Sequence, residues 1–135
     1  MSLQQYKKQS FFGGWTRIEM LLQIYDRAIV SIDGCKAALE AENEWSFTNH
    51  YIAAQKAILA IHSGLEPEKD VVAFNVARLL HFVVICIQER NLEDANKVLK
   101  QLRDGFAAVA DDVNQLERDG VIPPIPDRDC YQSTA

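Results

Sequence analysis

The side chains best able to do chemistry in this chain are three histidines, His50, His62 and His81, and three cysteines, Cys35, Cys86 and Cys130. A di-iron centre between helices needs Glu-x-x-His on two of them plus further glutamates. No Glu-x-x-His occurs here, and no two histidines stand four residues apart. His62 and Glu66 do have that spacing, but Gly64 and Pro67 break the helix they would share. A helical phosphotransfer domain needs only one exposed histidine, for which His81 is the candidate. The residues after it are Phe82, Val83, Val84 and Ile85, where a phosphoryl group would want lysine and small side chains. A partly buried or groove-lining His81 is therefore expected. Cys35 and Cys86 fall within apolar helical patterns and read as inert core thiols. Neither a P-loop nor a Gly-rich phosphate turn is present. The expectation is a protein with no catalytic constellation, no metal and no cofactor.

The elements that carry these residues are four apolar ladders at helical spacing. Thr16 and Glu19 form a Thr-x-x-Glu capping box for a first helix, which ends near Glu42-Asn43. Its ladder is Ile18, Leu21, Tyr25, Ala28, Ile32, Cys35 and Leu39, in steps of three and four. Ser46 is the expected cap of a second helix bearing Phe47, Tyr51, Ala54, Ile58, Ile61 and Leu65, with Gly64 as its stop and Pro67 beyond. A third helix starts near Asp70 and carries Val72, Val76, Leu79, Val83 and Cys86. Its β-branched run from Phe82 to Ile87 could form a strand, but the spacing before it and the lack of a partner strand favour helix. Asn91 caps the fourth, with Asp94 in its first turn and the ladder Leu92, Ala95, Leu99, Leu102, Phe106, Val109, Val113 and Leu116. Gly120 ends it, and Pro123, Pro124 and Pro126 stop it from resuming.

The joins near Asn43–Trp45 and Arg90–Asn91 are short, and short joins make antiparallel neighbours. The expected fold is all-α, an antiparallel up-down-up-down four-helix bundle over residues 16–120. Residues 1–15 form a flexible or short-helical N-terminal arm whose Phe11, Phe12 and Trp15 either touch the bundle loosely or cover a groove on it. Residues 121–135 are an irregular tail.

A length of 135 residues suits one domain with a proper core. The net charge of −5, with no Lys/Arg cluster, argues against a nucleic-acid partner. Three scattered thiols without a CxxC pair fit a reducing compartment. No basic-then-apolar leader and no apolar run of about 18 residues is visible, so neither secretion nor membrane insertion is expected. These features together point to the cytoplasm.

Hydrophobic residues exceed what one seam can bury. Beyond its ladder the first helix carries Met20, Leu22, Ile24, Ile29 and Val30, and the third carries Phe74, Leu80, Phe82, Val84, Ile85 and Ile87. Leaving such side chains in water forgoes roughly 1.5–3 kcal/mol apiece. A surface made to be covered by another chain follows.

Over roughly residues 6–119 the chain resembles the flagellin-specific export chaperone family, the FliS-like proteins. Ile24-Tyr25-Asp26-x-Ala28-Ile29 is similar to the family's Leu-Tyr-Asp-Gly-Ala-Ile signature. Tyr6 stands in the N-terminal arm, Ser63-Gly64-Leu65 near the Ser-Leu-Asp that closes helix two, and Asn75, Val76 and Leu79 in an Asn-Leu-x-x-Leu run. Leu102-Arg103-Asp104 with Phe106 is similar to Leu-Arg-x-x-Trp. Departures are Arg17 for proline, Arg27 for glycine, Leu80 for an aromatic and the inserted Gly64. The resemblance implies a non-enzymatic cytoplasmic chaperone that holds the disordered C-terminal segment of flagellin in apolar grooves and prevents premature polymerisation before secretion. The expected contacts are Ile24, Ile29, Leu80, Phe82, Val84 and Ile87, with Asp26 and Arg27 fixing register at the rim. Two alternatives stay open: a homodimeric interaction bundle with another client, and a phosphotransfer domain acting through His81.

Overall fold

The computed structural model describes residues 16–121, which hold five α-helices and no strand. They are α1 (Arg17–Glu40), α2 (Glu44–Ser63), α3 (Val71–Gln88), α4 (Leu92–Ala108) and α5 (Ala110–Arg118). The N-terminal arm, and the tail from residue 122 onward with its Cys130 and prolines, lie outside the described residues. The chain divides into two compact units, one spanning Leu22–Ala107 and the other containing residues 16–21 and 108–121.

Local chemistry sets most helix ends. Glu19 N–H donates to Thr16 Oγ1 at 3.4 Å, and Thr16 N–H donates back to Glu19 Oε1 at 2.9 Å, which is the expected capping box. These bonds, the backbone one foremost, hold the Glu19 carboxyl below its ordinary value. Their contribution to stability is therefore present at neutral pH and lost as pH falls through that lowered value. Asp70 caps α3 by accepting from Val72 N–H at 2.8 Å, and Asn91 caps α4 by accepting from Asp94 N–H at 3.4 Å. The cap of α2 is Asn43, not Ser46. Asn43 Oδ1 accepts from Ser46 N–H at 3.0 Å, so the helix starts three residues earlier than expected and Ser46 lies inside its first turn.

In the Leu22–Ala107 unit, Tyr25, Ala28, Ile32 and Cys35 of α1 form a buried seam, as the steps of three and four require. Phe47, Ala54, Ile58 and Ile61 do the same on α2, and Leu92, Ala95 and Leu99 on α4. Helix α3 packs against α2, and Val76, Val83 and Cys86 of its expected ladder are buried while the ladder's other two residues are not. Its buried side chains are Val76, Ala77, Leu80, Val83, Cys86 and Ile87, while Val72 and Leu79 are exposed. The run Phe82–Ile87 is helical despite its β-branching.

Between α1 and α2 the His50 ring lies against Gly34. A Cβ there would lie 2.5 Å from the His50 ring. Alanine ordinarily stabilises a helix over glycine by about 1 kcal/mol, yet forcing a methyl into this contact costs about 1–3 kcal/mol. Gly34→Ala should therefore lower the midpoint of urea unfolding, against its helix propensity.

Helices α1 and α4 are joined by polar contacts. Asn96 Nδ2 donates to Asp33 Oδ1 at 2.6 Å, and Arg103 Nε donates to Asp26 Oδ1 at 3.0 Å. Tyr25 stacks on Phe106 with ring centroids 5.7 Å apart. The Tyr25 hydroxyl is buried without a hydrogen-bond partner, and that burial pushes its pKa from 10.0 up to about 12. The folded state keeps a proton that the unfolded chain releases, so stability holds below pH 10.0 and declines toward pH 12. Over that window the loss is about 2 kcal/mol. Tyr25→Phe should abolish this alkaline decline in urea titrations and leave neutral-pH stability unchanged or raised.

In the other unit, the fourth ladder does not run unbroken to Leu116. The chain leaves helical geometry at Val109 (φ −107, ψ 6), and α5 starts afresh at Ala110. Val109 and Leu116 are exposed, whereas Asn114 is buried. The polar face of α5 meets the first turn of α1: the Thr16 hydroxyl lies between Glu19 Oε1 and Asn114 Oδ1, and Arg17 N–H donates to Glu117 Oε1 at 3.1 Å. Gly120, at φ +79, ends α5 as expected: its N–H reaches Glu117 O at 3.1 Å and Val121 N–H reaches Leu116 O at 3.0 Å.

Candidate functional site

Residues of α1 and α2 line a groove of about 500 Å³. Ile24 and Val30 of α1 are its larger apolar side chains, and Ser31, Ala53 and Ala57 are its small ones. Small residues at one-turn spacing on α2 keep it open, since longer side chains at 53 and 57 would fill it. Asp26, Arg27 and Lys56 supply its charges. Asp26 is held by Arg103, with both side chains partly exposed. Arg27 and Lys56 have no carboxylate partner among the described residues.

Two further apolar surfaces lie on the Leu22–Ala107 unit. On α2, Trp45, Ile52 and Leu59 recur every seven residues and are all exposed, Trp45 at 78%. Two turns apart, they form one stripe along the helix. On α3, Val71, Phe74, Phe82 and Ile85 share the side opposite the core, accompanied by the exposed polar residues Asn75, Arg78 and His81. The Arg78 guanidinium lies 6.0 Å from the Phe74 ring centroid. With 18 residues and mean hydropathy 1.9, α3 is long and apolar enough to cross a membrane by length and composition, contrary to the expectation that no such run exists. Its single formal charge, Arg78, let the sequence reading pass it over.

The residues expected to make contacts are distributed unevenly. Ile24, Asp26 and Arg27 come together in the α1–α2 groove. Phe82 is exposed, but on α3 and outside the groove lining. Ile29 and Val84 are half-buried. Leu80 and Ile87 are core residues, each 0% exposed, and so are unavailable to a partner at the surface. The outer side of α3 mixes apolar residues with Asn75, Arg78 and His81, so surplus hydrophobicity alone does not separate Leu80 and Ile87 from the exposed set. Val30 was visible as surplus hydrophobicity. The stripe Trp45–Ile52–Leu59 was missed, although its seven-residue spacing outside the ladder was a readable signal.

His81 is exposed, not partly buried. Cys35 and Cys86 are buried free thiols, and desolvation raises the pKa of both, so neither is a ready nucleophile. Among the described residues no group of three or more His, Cys, Asp or Glu could hold a metal ion. The chemistry this arrangement offers is therefore apolar burial edged by charge. No protein-family model matches the sequence, and comparison with curated proteins and with solved structures gives no match either.

Proposed function

We propose that this chain is a non-enzymatic export chaperone of the flagellin-binding kind, which holds a disordered C-terminal segment of flagellin against its apolar surfaces and delays polymerisation until secretion. The observation that carries the reading is the α1–α2 groove, an apolar cleft of about 500 Å³ lined by Ile24 and Asp26 of the family-like signature, with Arg27 between that signature's matched positions, and edged by charge. An amphipathic helix laid into an apolar groove is a general mode of peptide recognition. Ordering a disordered client costs free energy that only a long contact offsets, and the exposed stripe on α2 and face of α3 extend the area on offer.

The finer architecture belongs to the same reading: α1 to α4 as an antiparallel up-down-up-down bundle. Its support lies in the contact pairs. Asp26 meets Arg103 while Asp33, further along α1, meets Asn96, earlier on α4. Likewise Cys35 of α1 approaches Phe47 O near the start of α2. The buried free thiols suit a reducing, cytoplasmic setting.

The exposed position of His81 favours a second reading, a phosphotransfer bundle. It requires an acid-labile phosphohistidine in the presence of a kinase and ATP, lost in His81→Gln. A homodimer through the α2 stripe is the remaining alternative and requires a concentration-dependent mass. The chaperone reading is tested by calorimetric titration with the C-terminal segment of the source organism's flagellin. One-to-one binding with a large negative heat-capacity change is expected, as for apolar burial by a folding client. Absence of heat at several temperatures would overturn it.

A further inference from the structure

We propose that Arg27 and Lys56 make the α1–α2 groove selective for an amphipathic helical segment that carries carboxylates beside its apolar ridge. The inference rests on the reading of this groove as a client site and adds the chemistry of the client. The chain as a whole is acidic, at −5, yet the charge left uncompensated in this groove is positive. Asp26, the groove's one carboxylate, is already engaged by Arg103 Nε at 3.0 Å. Elsewhere in the same unit the Arg90 guanidinium is matched to Glu44 and lies 4.4 Å from the centre of the Phe47 ring. Arg27 projects from α1 and Lys56 from α2, so the two cations come from opposite walls of the cleft.

A client seated on Ile24, Val30, Ala53 and Ala57 strips water from the space beside both cations. An unpaired charge that loses water is costly, and an acidic neighbour offsets part of that cost. A neutral or basic segment with the same apolar ridge meets the penalty unrelieved. Discrimination between clients then arises from repulsion and desolvation as much as from attraction. Apolar contact supplies the affinity; the two cations choose which segment receives it.

The test uses the full chain and two fluorescently labelled helical peptides. Both carry leucines along one ridge; one is flanked by glutamates and the other by glutamines. Anisotropy titrations should show the glutamate peptide binding about tenfold more tightly, with the preference shrinking at high salt. In the double variant Arg27→Gln/Lys56→Gln, both sites being exposed, the preference should fall to less than about twofold, with the unfolding midpoint unchanged. Equal affinity of the two peptides for the unaltered protein overturns the proposal. So does a salt-sensitive dimer that the double variant abolishes, since the groove would then belong to a second copy.

The flagellin segment, titrated into both proteins, separates the two readings. Unchanged flagellin binding by the double variant overturns the selectivity and leaves the chaperone reading in place. Glutamate-peptide selectivity without flagellin binding does the reverse.

Discussion

Leu80→Ala should lower the free energy of unfolding by about 2–5 kcal/mol, while Phe82→Ala, two residues on, should change it by less than about 1 kcal/mol. Leu80 is fully enclosed among the buried side chains of the Leu22–Ala107 unit, with Val76, Val83 and Ile87 on the same side of α3. Truncating it removes three buried carbons and leaves a cavity that the neighbouring side chains close only in part. Phe82 is 45% exposed on the opposite side, so its ring leaves far less packing behind. Urea denaturation of the two variants, fitted with a common slope, measures the contrast. Similar losses for both would mean that α3 buries a different face.

Val30→Asp should weaken binding of the flagellin segment by about tenfold to a hundredfold, the equivalent of the roughly 1.5–3 kcal/mol that a buried apolar side chain of this size contributes. Val30 lines the groove and is 67% exposed in the free protein, so the carboxylate stays hydrated and the fold has little to lose. Thermal unfolding of the variant should therefore stay close to that of the unaltered protein, within the small range usual for surface changes. Calorimetry on the same samples gives the affinity. Retained affinity would remove the groove from the client's path.

Where local chemistry decides, the sequence was a good guide. Thr16–Glu19, Asp70 and Asn91 act as caps because their side chains reach first-turn amides two or three residues away, a relation visible in the letters themselves. Asn43 serves the same role for α2, and Ser46 looked plausible only because both residue types cap well. The seams of α1, α2 and the first part of α4 were legible since each has polar residues to mark its outer face.

On helix α3 the marking is diluted, because Asn75, Arg78 and His81 share the outer side with Val71, Phe74, Phe82 and Ile85. The expected ladder Val72-Val76-Leu79-Val83 and the set Val76-Leu80-Val83-Ile87 share two residues and both have helical spacing; the folded chain buries the second. The break at Val109 was hidden for another reason: the partners of Asn114 and Glu117 beyond it are in a first turn almost 100 residues earlier in the chain. Of the candidate site, Ile24 was legible as surplus hydrophobicity on α1, and Asp26 and Arg27 were named through the family resemblance. Ala53, Lys56 and Ala57 are unremarkable as residues and become a groove wall only once α2 lies beside α1.

The most direct test of the central claim is amide chemical-shift mapping of the isotope-labelled protein as the flagellin segment is added. The account expects the largest changes at Arg27, Val30, Ala53 and Ala57, with further changes along the exposed residues of α2 and α3. Shifts confined to other surfaces, or none at saturating segment, would contradict it.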